Sequence, residues 1–303
     1  MRTLLIKASE SEALRRQIVS RRITHDIAMR FVAGDTLDDG ISVSRGLVAK
    51  GKTVTLDYLG ESVSGEADAR DAAKAYVEAA ARLGDQGLPA GVSVKPSQMG
   101  LLFSRELCVE LLSEIAVAGE RTCEHLTLDM EGSDVTEDTV SLVETLQLAG
   151  HFYVGCAVQS YLHRTLDDVR RLSAAGASLR LCKGAYAEPP EVAYQSRDQV
   201  DASYARCADF LLQEGNFPRF ATHDHRLIAY ITKAARRIGR DPETFEFQML
   251  YGIRTPLQDE LVDRGYQVRV YVPYGDQWYP YFMRRLAERP ANVTFFLRAL
   301  LSR

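Results

Sequence analysis

No apolar stretch in the chain approaches the roughly 20 residues that a membrane-spanning helix requires, and no two of the five cysteines form a CxxC pair. Cys108, Cys123, Cys156, Cys182 and Cys207 sit mostly in apolar runs, which is how reduced, intracellular thiols are placed. The first ten residues hold too short an apolar core for a secretory leader and soon become heavily charged. A cytosolic protein is expected, or at most one that rests on the inner face of a membrane. Basic excess is missing too. With a formal charge of −4 and no basic tail or aromatic–basic interleaving, nucleic acid is a poor candidate for the main partner. Lysine is scarce, at seven of the 37 basic residues, so a lysine inside an apolar run stands out.

Several familiar sites are also absent. There is no GxGxxG to mark a dinucleotide site after a first strand, and no GxSxG elbow to anchor a serine triad. Residues 46–53 match the phosphate-binding pattern GxxxxGK[ST], but in the wrong order. A helical run precedes them and a strand pattern follows, whereas the phosphate cradle needs a helix N-terminus after the loop. Gly51 reads better as a helix terminator. His223-Asp224-His225 offers metal-type donors, yet no second pair with ligand spacing supports it among six histidines, so no metal is expected.

What is present is a repeated alternation. Short β-rich runs cover residues 53–59, 91–95, 125–129, 153–159, 178–182, 219–222, 244–248 and 267–271. Amphipathic helical patterns lie between them at 67–83, 105–118, 136–149, 166–175, 198–214, 225–238 and 257–264. Several end in glycine, including Gly84, Gly119, Gly150, Gly176, Gly239 and Gly265, the usual C-terminal signal. Strands joined by helices imply parallel pairing, and eight units in about 250 residues is the size of a (β/α)8 barrel. The expected domain plan is one unit: residues 1–50, with a helical pattern at 10–31, as N-terminal helices packed on a distorted barrel formed by 51–303.

In such a barrel the C-terminal strand ends surround one mouth. Read in order they present Glu61, Lys95, Asp129, Gln159, Arg180 with Lys183, Thr222 with His223, Gln248 and Tyr271. Lys95 and Asp129 close runs that would be largely buried, and a buried charge needs a partner or a ligand. Beyond the last strand, Tyr281, Arg284, Arg285 and Glu288 fall at i, i+3, i+4 and i+7, on one helix face. A planar guanidinium can hold a carboxylate bidentately. A small anionic substrate is therefore expected at a cationic mouth.

With these residues in hand, the chain closely resembles the flavin-dependent proline dehydrogenases of bacteria. The resemblance rests on Arg-Leu-Cys-Lys-Gly-Ala-Tyr at 180–186, Phe-Ala-Thr-His-Asp at 220–224, Glu-Phe-Gln-Met-Leu-Tyr-Gly at 246–252 and Tyr-Phe-Met-Arg-Arg-Leu-Ala-Glu at 281–288. Shorter pieces at Val94-Lys95, Leu128-Asp129 and Val158-Gln159 agree, and the likeness runs from about Phe31 to Asn292. Where relatives often carry valine in the first motif this chain has Cys182. The DNA-binding and aldehyde-dehydrogenase regions of large bifunctional relatives have no counterpart, so the resemblance implies the short, single-activity form.

That resemblance implies oxidation of L-proline to Δ1-pyrroline-5-carboxylate, with non-covalent FAD as electron acceptor. It also implies a membrane quinone that reoxidises the flavin and a separate pyrroline-5-carboxylate dehydrogenase that takes the product. By the same resemblance, Lys95, Arg284 and Arg285 clamp the proline carboxylate, while Tyr271, Tyr281 and Leu250 wall its ring. Met130, Gln159, Arg180, Lys183, Gly184, Ala185, Thr222, His223 and Tyr271 hold the flavin, with Arg180 also counted as catalytic. Asp129 either orients the cations or assists proton loss from the substrate amine; an aspartate beside several cations is a weak base, which favours the first. Glu61 and Glu288 are gate candidates toward Arg284. The apolar segment 293–301 serves barrel packing or a membrane contact. A metal-dependent barrel hydrolase and a non-catalytic carboxylate-binding protein stand as alternatives.

Overall fold

The computed structural model describes residues 22–60, 63–120 and 123–288, the side chains of 22–24 and 286–288 excepted. Glu61, the Glu288 side chain, the segment 293–301 and residues 10–21 of the N-terminal helical pattern lie outside the described residues. Eight parallel strands pair in sequence order and close on themselves. They are β1 (Thr53–Tyr58), β2 (Ala90–Val94), β3 (Leu126–Leu128), β4 (Val154–Gln159), β5 (Arg180–Cys182), β6 (Arg219–Ala221), β7 (Glu246–Leu250) and β8 (Gln267–Tyr274). The described helices are α1 (Arg22–Ala28), α2 (Leu37–Val48), α3 (Glu66–Asp85), α4 (Arg105–Gly119), α5 (Thr136–Leu148), α6 (Thr165–Ala174), α7 (Arg197–Glu214), α8 (His225–Ile238), α9 (Thr255–Asp263) and α10 (Trp278–Glu288). This is the expected (β/α)8 barrel.

Strand alternation sorts the side chains into two populations. Val54, Leu56, Val92, Val94, Leu126, Leu128, Val154, Cys156, Leu181, Phe220, Phe247, Val268 and Val270 are buried in the main apolar core, between strands and helices. Each fully buried aliphatic side chain there is worth about 1.5–3 kcal/mol, and this layer supplies most of the driving force for closure. The inward positions are different. Instead of stacked aliphatic layers they carry Thr55, Asp57, Ser93, Thr127, Gln159, Arg180, Arg219, Glu246, Gln248 and Arg269, all buried. A polar interior of this kind survives only if its charges are paired and hydrogen-bonded.

Three elements differ from the sequence expectation. β7 starts at Glu246 and not at Thr244, because Asp241 accepts from the Glu243 amide at 2.9 Å and caps a 3-10 turn over Pro242–Thr244. β8 runs on to Tyr274 because β1 pairs with it along its whole length, from Thr53↔Arg269 to Tyr58↔Tyr274. Arg180 opens β5 and does not close it. Residues 46–53 run from α2 into β1, Gly51 has φ +74°, and the Lys52 ammonium is buried against Asp259 at 2.5 Å. No phosphate cradle forms there.

The last helix has left the usual place beside the barrel. The outer faces of β8 and β1 are covered by α2. α10 packs instead with α1, where Trp278, Tyr279, Tyr281, Phe282 and Met283 bury against Ile27, Ala28, Val32 and Leu59. The turn after β7 reinforces this arrangement. Gly252 has φ +72°, and a Cβ there would stand 1.8 Å from the Arg30 carbonyl oxygen, so only glycine lets the α1 end approach. No described helix is long and apolar enough to cross a membrane.

Candidate active site

Asp129 is the hub of the barrel's C-terminal mouth. β3 places it one residue beyond the Leu128↔Cys156 pair, on the level of Ala157, which pairs with Arg180. Its Oδ1 accepts from Arg180 Nη1 at 2.7 Å and from Ser93 Oγ at 2.6 Å. Its Oδ2 accepts from the Tyr271 hydroxyl at 2.8 Å, with Lys95 Nζ at 3.8 Å. Lys95 Nζ donates to Asp57 Oδ1 at 2.7 Å. The Arg180 guanidinium lies 5.3 Å from the centre of the Tyr271 ring. Arg180 Nη2 and Asp57 Oδ2 are buried and make no hydrogen bond among the described residues.

The electrostatics follow from these contacts. Burial works against the Asp129 charge, but Arg180 and Lys95, with hydrogen bonds from Ser93 and Tyr271, hold its carboxyl below the usual range. Asp57 goes the other way. Burial, with the Asp129 charge adding to it, raises its carboxyl in spite of Lys95. Burial alone would depress the Lys95 ammonium, yet Asp57 and Asp129 outweigh it and keep lysine firmly protonated. Burial, then Asp129, pushes the Tyr271 phenol far above its ordinary value, so it is a fixed donor.

α10 brings the paired arginines to this mouth. Arg284 is close enough for its charge to bear on Lys95 and on Tyr186, and Arg285 for its charge to bear on Cys182. Cys182 ends β5, opposite β1 in the ring, so the charge of Arg285 on the helix after β8 extends over the mouth. Both arginines are half-buried, and the Arg285 guanidinium rests over the Tyr281 ring at 5.1 Å. Leu250 and Tyr271 are register partners on β7 and β8 and face the same interior.

The family model described as proline dehydrogenase matches residues 41–298. The chain belongs to the proline dehydrogenase family. It is 37% identical over 277 residues to proline dehydrogenase 1 of Bacillus subtilis (strain 168), covering 91% of each chain. It is 36% identical over 289 residues to the proline dehydrogenase of Deinococcus radiodurans, covering 93% of each. Among solved structures, proline utilization A (PutA) from Bdellovibrio bacteriovorus, inactivated by N-propargylglycine, superposes with a TM-score of 0.82 at 27% identity. That match covers 88% of this chain and 33% of the other, so the proline dehydrogenase fold here spans about a third of that longer protein.

Around the proline dehydrogenase mouth the remaining expected residues are positioned as follows. Gln159 ends β4; its Nε2 donates to the Glu131 carbonyl at 2.9 Å, and its Oε1 accepts the Ala185 amide at 3.3 Å. Gly184 has φ +115°, and a Cβ would strike the Tyr161 ring at 2.3 Å, so the 183–186 loop can lie this close only with glycine. Met130, two residues beyond β3, is buried. Thr222 Oγ1 accepts the Asp224 amide at 3.0 Å. His223 Nε2 accepts the Leu250 amide at 3.0 Å, which puts the ring proton on Nδ1, and Arg254 Nη1 donates to the His223 carbonyl at 2.6 Å.

The Lys183 ammonium pairs with Asp201 at 2.5 Å and Asp224 at 3.2 Å. Asp224 in turn caps α8 by accepting the Arg226 amide at 3.0 Å, so the His223-Asp224-His225 run is a helix N-terminus. Burial opposes the Asp224 charge, but Arg226 and Lys183 hold its carboxyl far below the ordinary value. Asp224→Ala is expected to cost about 1–2 kcal/mol in urea unfolding at pH 7. A depressed folded pKa contributes stability above the unfolded value of about 3.9 and loses it below. The difference between wild type and variant should therefore hold from pH 7 to about 4.5 and shrink progressively on further acidification; a gap as large at pH 2 as at pH 7 would assign it to packing alone.

Reading strand ends missed several members. Asp57, Ser93, Glu246 and Arg269 are inward-facing but not at the C-terminal ends of their strands, and alternation along 53–57, 91–95, 244–248 and 267–271 was the signal that could have found them.

Proposed function

We propose that the chain is a proline dehydrogenase that oxidises L-proline to Δ1-pyrroline-5-carboxylate, with FAD bound non-covalently in the barrel mouth. The observation that carries this reading is the Asp129–Arg180–Tyr271 unit with Lys95 beside it, and Arg284 near enough for its charge to bear on Lys95, in a chain of this family. The residues present fit a flavin. Arg180 Nη2 is a buried donor without a hydrogen-bond partner among the described residues, suited to an electron-rich ring edge. The glycine-dependent 183–186 loop, Gln159, Met130, Thr222 and His223 line the same side and would hold the cofactor. When bound, FAD would supply the acceptor for a hydride from the substrate carbon next to the ring nitrogen.

The protein's own contribution is binding, orientation and charge. Lys95, Arg284 and Arg285 grip the substrate carboxylate, each charge-assisted bond being worth about 1.5–3 kcal/mol, and so fix the ring for transfer. Leu250, Tyr271 and Tyr281 wall the apolar ring and exclude water. Asp129 orients cations and is a poor base: its oxygens already accept from Arg180, Ser93 and Tyr271, and its carboxyl is held below the usual range. Arg180 favours the more anionic, reduced form of the cofactor. Glu61 and Glu288 remain candidates for a gate toward Arg284. A membrane quinone reoxidises the enzyme through a peripheral contact, a separate dehydrogenase consumes the product, and residues 1–303 act as one catalytic unit.

The test is spectroscopic. The purified protein should show flavin absorbance that bleaches anaerobically on adding L-proline. A colourless protein that cannot be reconstituted with FAD would sink the reading. Proline binding without bleaching would leave a carboxylate-binding protein instead.

A further inference from the structure

Behind Arg180 runs a chain of three buried side chains, Gln248, Glu246 and Arg269, that the proposed reaction does not use. Arg180 Nε donates to Gln248 Oε1 at 2.6 Å, and Gln248 Nε2 donates to Glu246 Oε1 at 2.5 Å. Glu246 is gripped by Arg269 Nε, at 2.9 Å and 3.0 Å to its two oxygens. All four side chains are buried. A guanidinium can only donate and a carboxylate can only accept. An amide held between them has one orientation, oxygen toward Arg180 and nitrogen toward Glu246.

The choice of an amide at 248 has an electrostatic consequence. Arg180 already has one full counter-charge, Asp129, on Nη1. A carboxylate at 248 would add a second on Nε and outweigh the single guanidinium charge. As built, the negative charge sits one link further from the mouth, on Glu246, where Arg269 balances it. Arg180 is therefore pinned on two sides but neutralised on only one.

We propose that Gln248, oriented by Glu246, is a positioning residue that holds Arg180 without quenching it and thereby sets the reduction potential of the bound electron acceptor. The proposal rests on the flavin reading above. It assigns a role to the Glu246-Phe-Gln248 part of β7, which touches neither the proposed carboxylate clamp nor the proposed ring wall.

The experiment compares FAD-loaded wild type with Gln248→Glu, Gln248→Met and the double variant Glu246→Gln/Gln248→Glu, measuring midpoint potential by spectroelectrochemistry beside proline kinetics. Gln248→Glu should shift the two-electron equilibrium about tenfold toward the oxidised form, a midpoint lower by about 30 mV. Its kcat should fall while KM for proline stays within about twofold, because the carboxylate clamp is untouched. The double variant keeps the net charge of the wild type but moves the negative charge toward Arg180, so its potential should stay low. A wild-type potential in Gln248→Glu, or one restored in the double variant, overturns the proposal. If Gln248→Glu fails to retain flavin, Gln248→Met decides: the pin predicts kcat lowered about tenfold at unchanged KM, and an unchanged kcat rejects it. Failure of the function itself looks different, since wild type would then hold no flavin or fail to bleach with proline.

Discussion

Lys95→Met will destabilise the protein by about 3–5 kcal/mol at neutral pH, the usual cost of removing one partner from a buried ion pair. Asp57 is the reason. Its carboxylate is fully buried, Lys95 Nζ stands 2.7 Å from Oδ1, and Oδ2 has no hydrogen bond among the described residues. Without Lys95, burial and the neighbouring Asp129 charge both drive the Asp57 pKa up, and the group must be protonated or remain an uncompensated charge. The sign of the pH effect follows. A carboxyl whose folded pKa is raised costs nothing below its unfolded value of about 3.9, and its penalty grows as pH rises above that. Unfolding in urea should therefore show the deficit smallest near pH 4 and largest at pH 7. Adding Asp57→Asn to Lys95→Met should recover most of the stability but none of the proline affinity, because the ammonium proposed to grip the carboxylate is still missing. Lys95→Met with wild-type stability at pH 7 would show that the pair is not structural. A double variant with normal KM would remove Lys95 from the clamp.

Much of this arrangement is legible in the sequence alone, and the reasons are physical. Period-two alternation with β-branched residues marks the strands, and terminal glycines mark the helix ends, so eight units can be counted and the barrel inferred. Lys95 and Asp129 are visible because a charge closing an apolar run is costly to bury alone. Their partners are not. Which inward residue meets which depends on the stagger between strands, and that stagger is set by closure of the whole sheet. Hence Asp57, which lies inside β1 and not at its end, does not stand out although it is the direct partner of Lys95. The Arg180–Gln248–Glu246–Arg269 chain joins β5, β7 and β8, and no local pattern announces it. Position is hidden as well for α10. Its face with Tyr281, Arg284 and Arg285 is plain in the sequence, but its place over the mouth depends on α2 covering β8 and β1 and on α1 supplying an apolar bed.

Arg285→Met should raise KM for proline by roughly 100-fold, the loss of one or two charge-assisted bonds at about 1.5–3 kcal/mol each. The structure explains why one arginine can matter so much. Its guanidinium lies over the Tyr281 ring at 5.1 Å, which fixes the plane of the fork before substrate arrives and lowers the entropy cost of binding. For the same reason Arg285→Lys should fail to rescue: an ammonium keeps the charge but loses the planar, bidentate geometry. The decisive control is pyrrolidine, which has the ring and amine of proline but no carboxylate. If Arg285 grips the carboxylate, the variant should bind pyrrolidine as well as wild type does while losing proline. Equal losses for both ligands would make Arg285 a support for the fold of α10, and unchanged proline kinetics would remove it from the clamp.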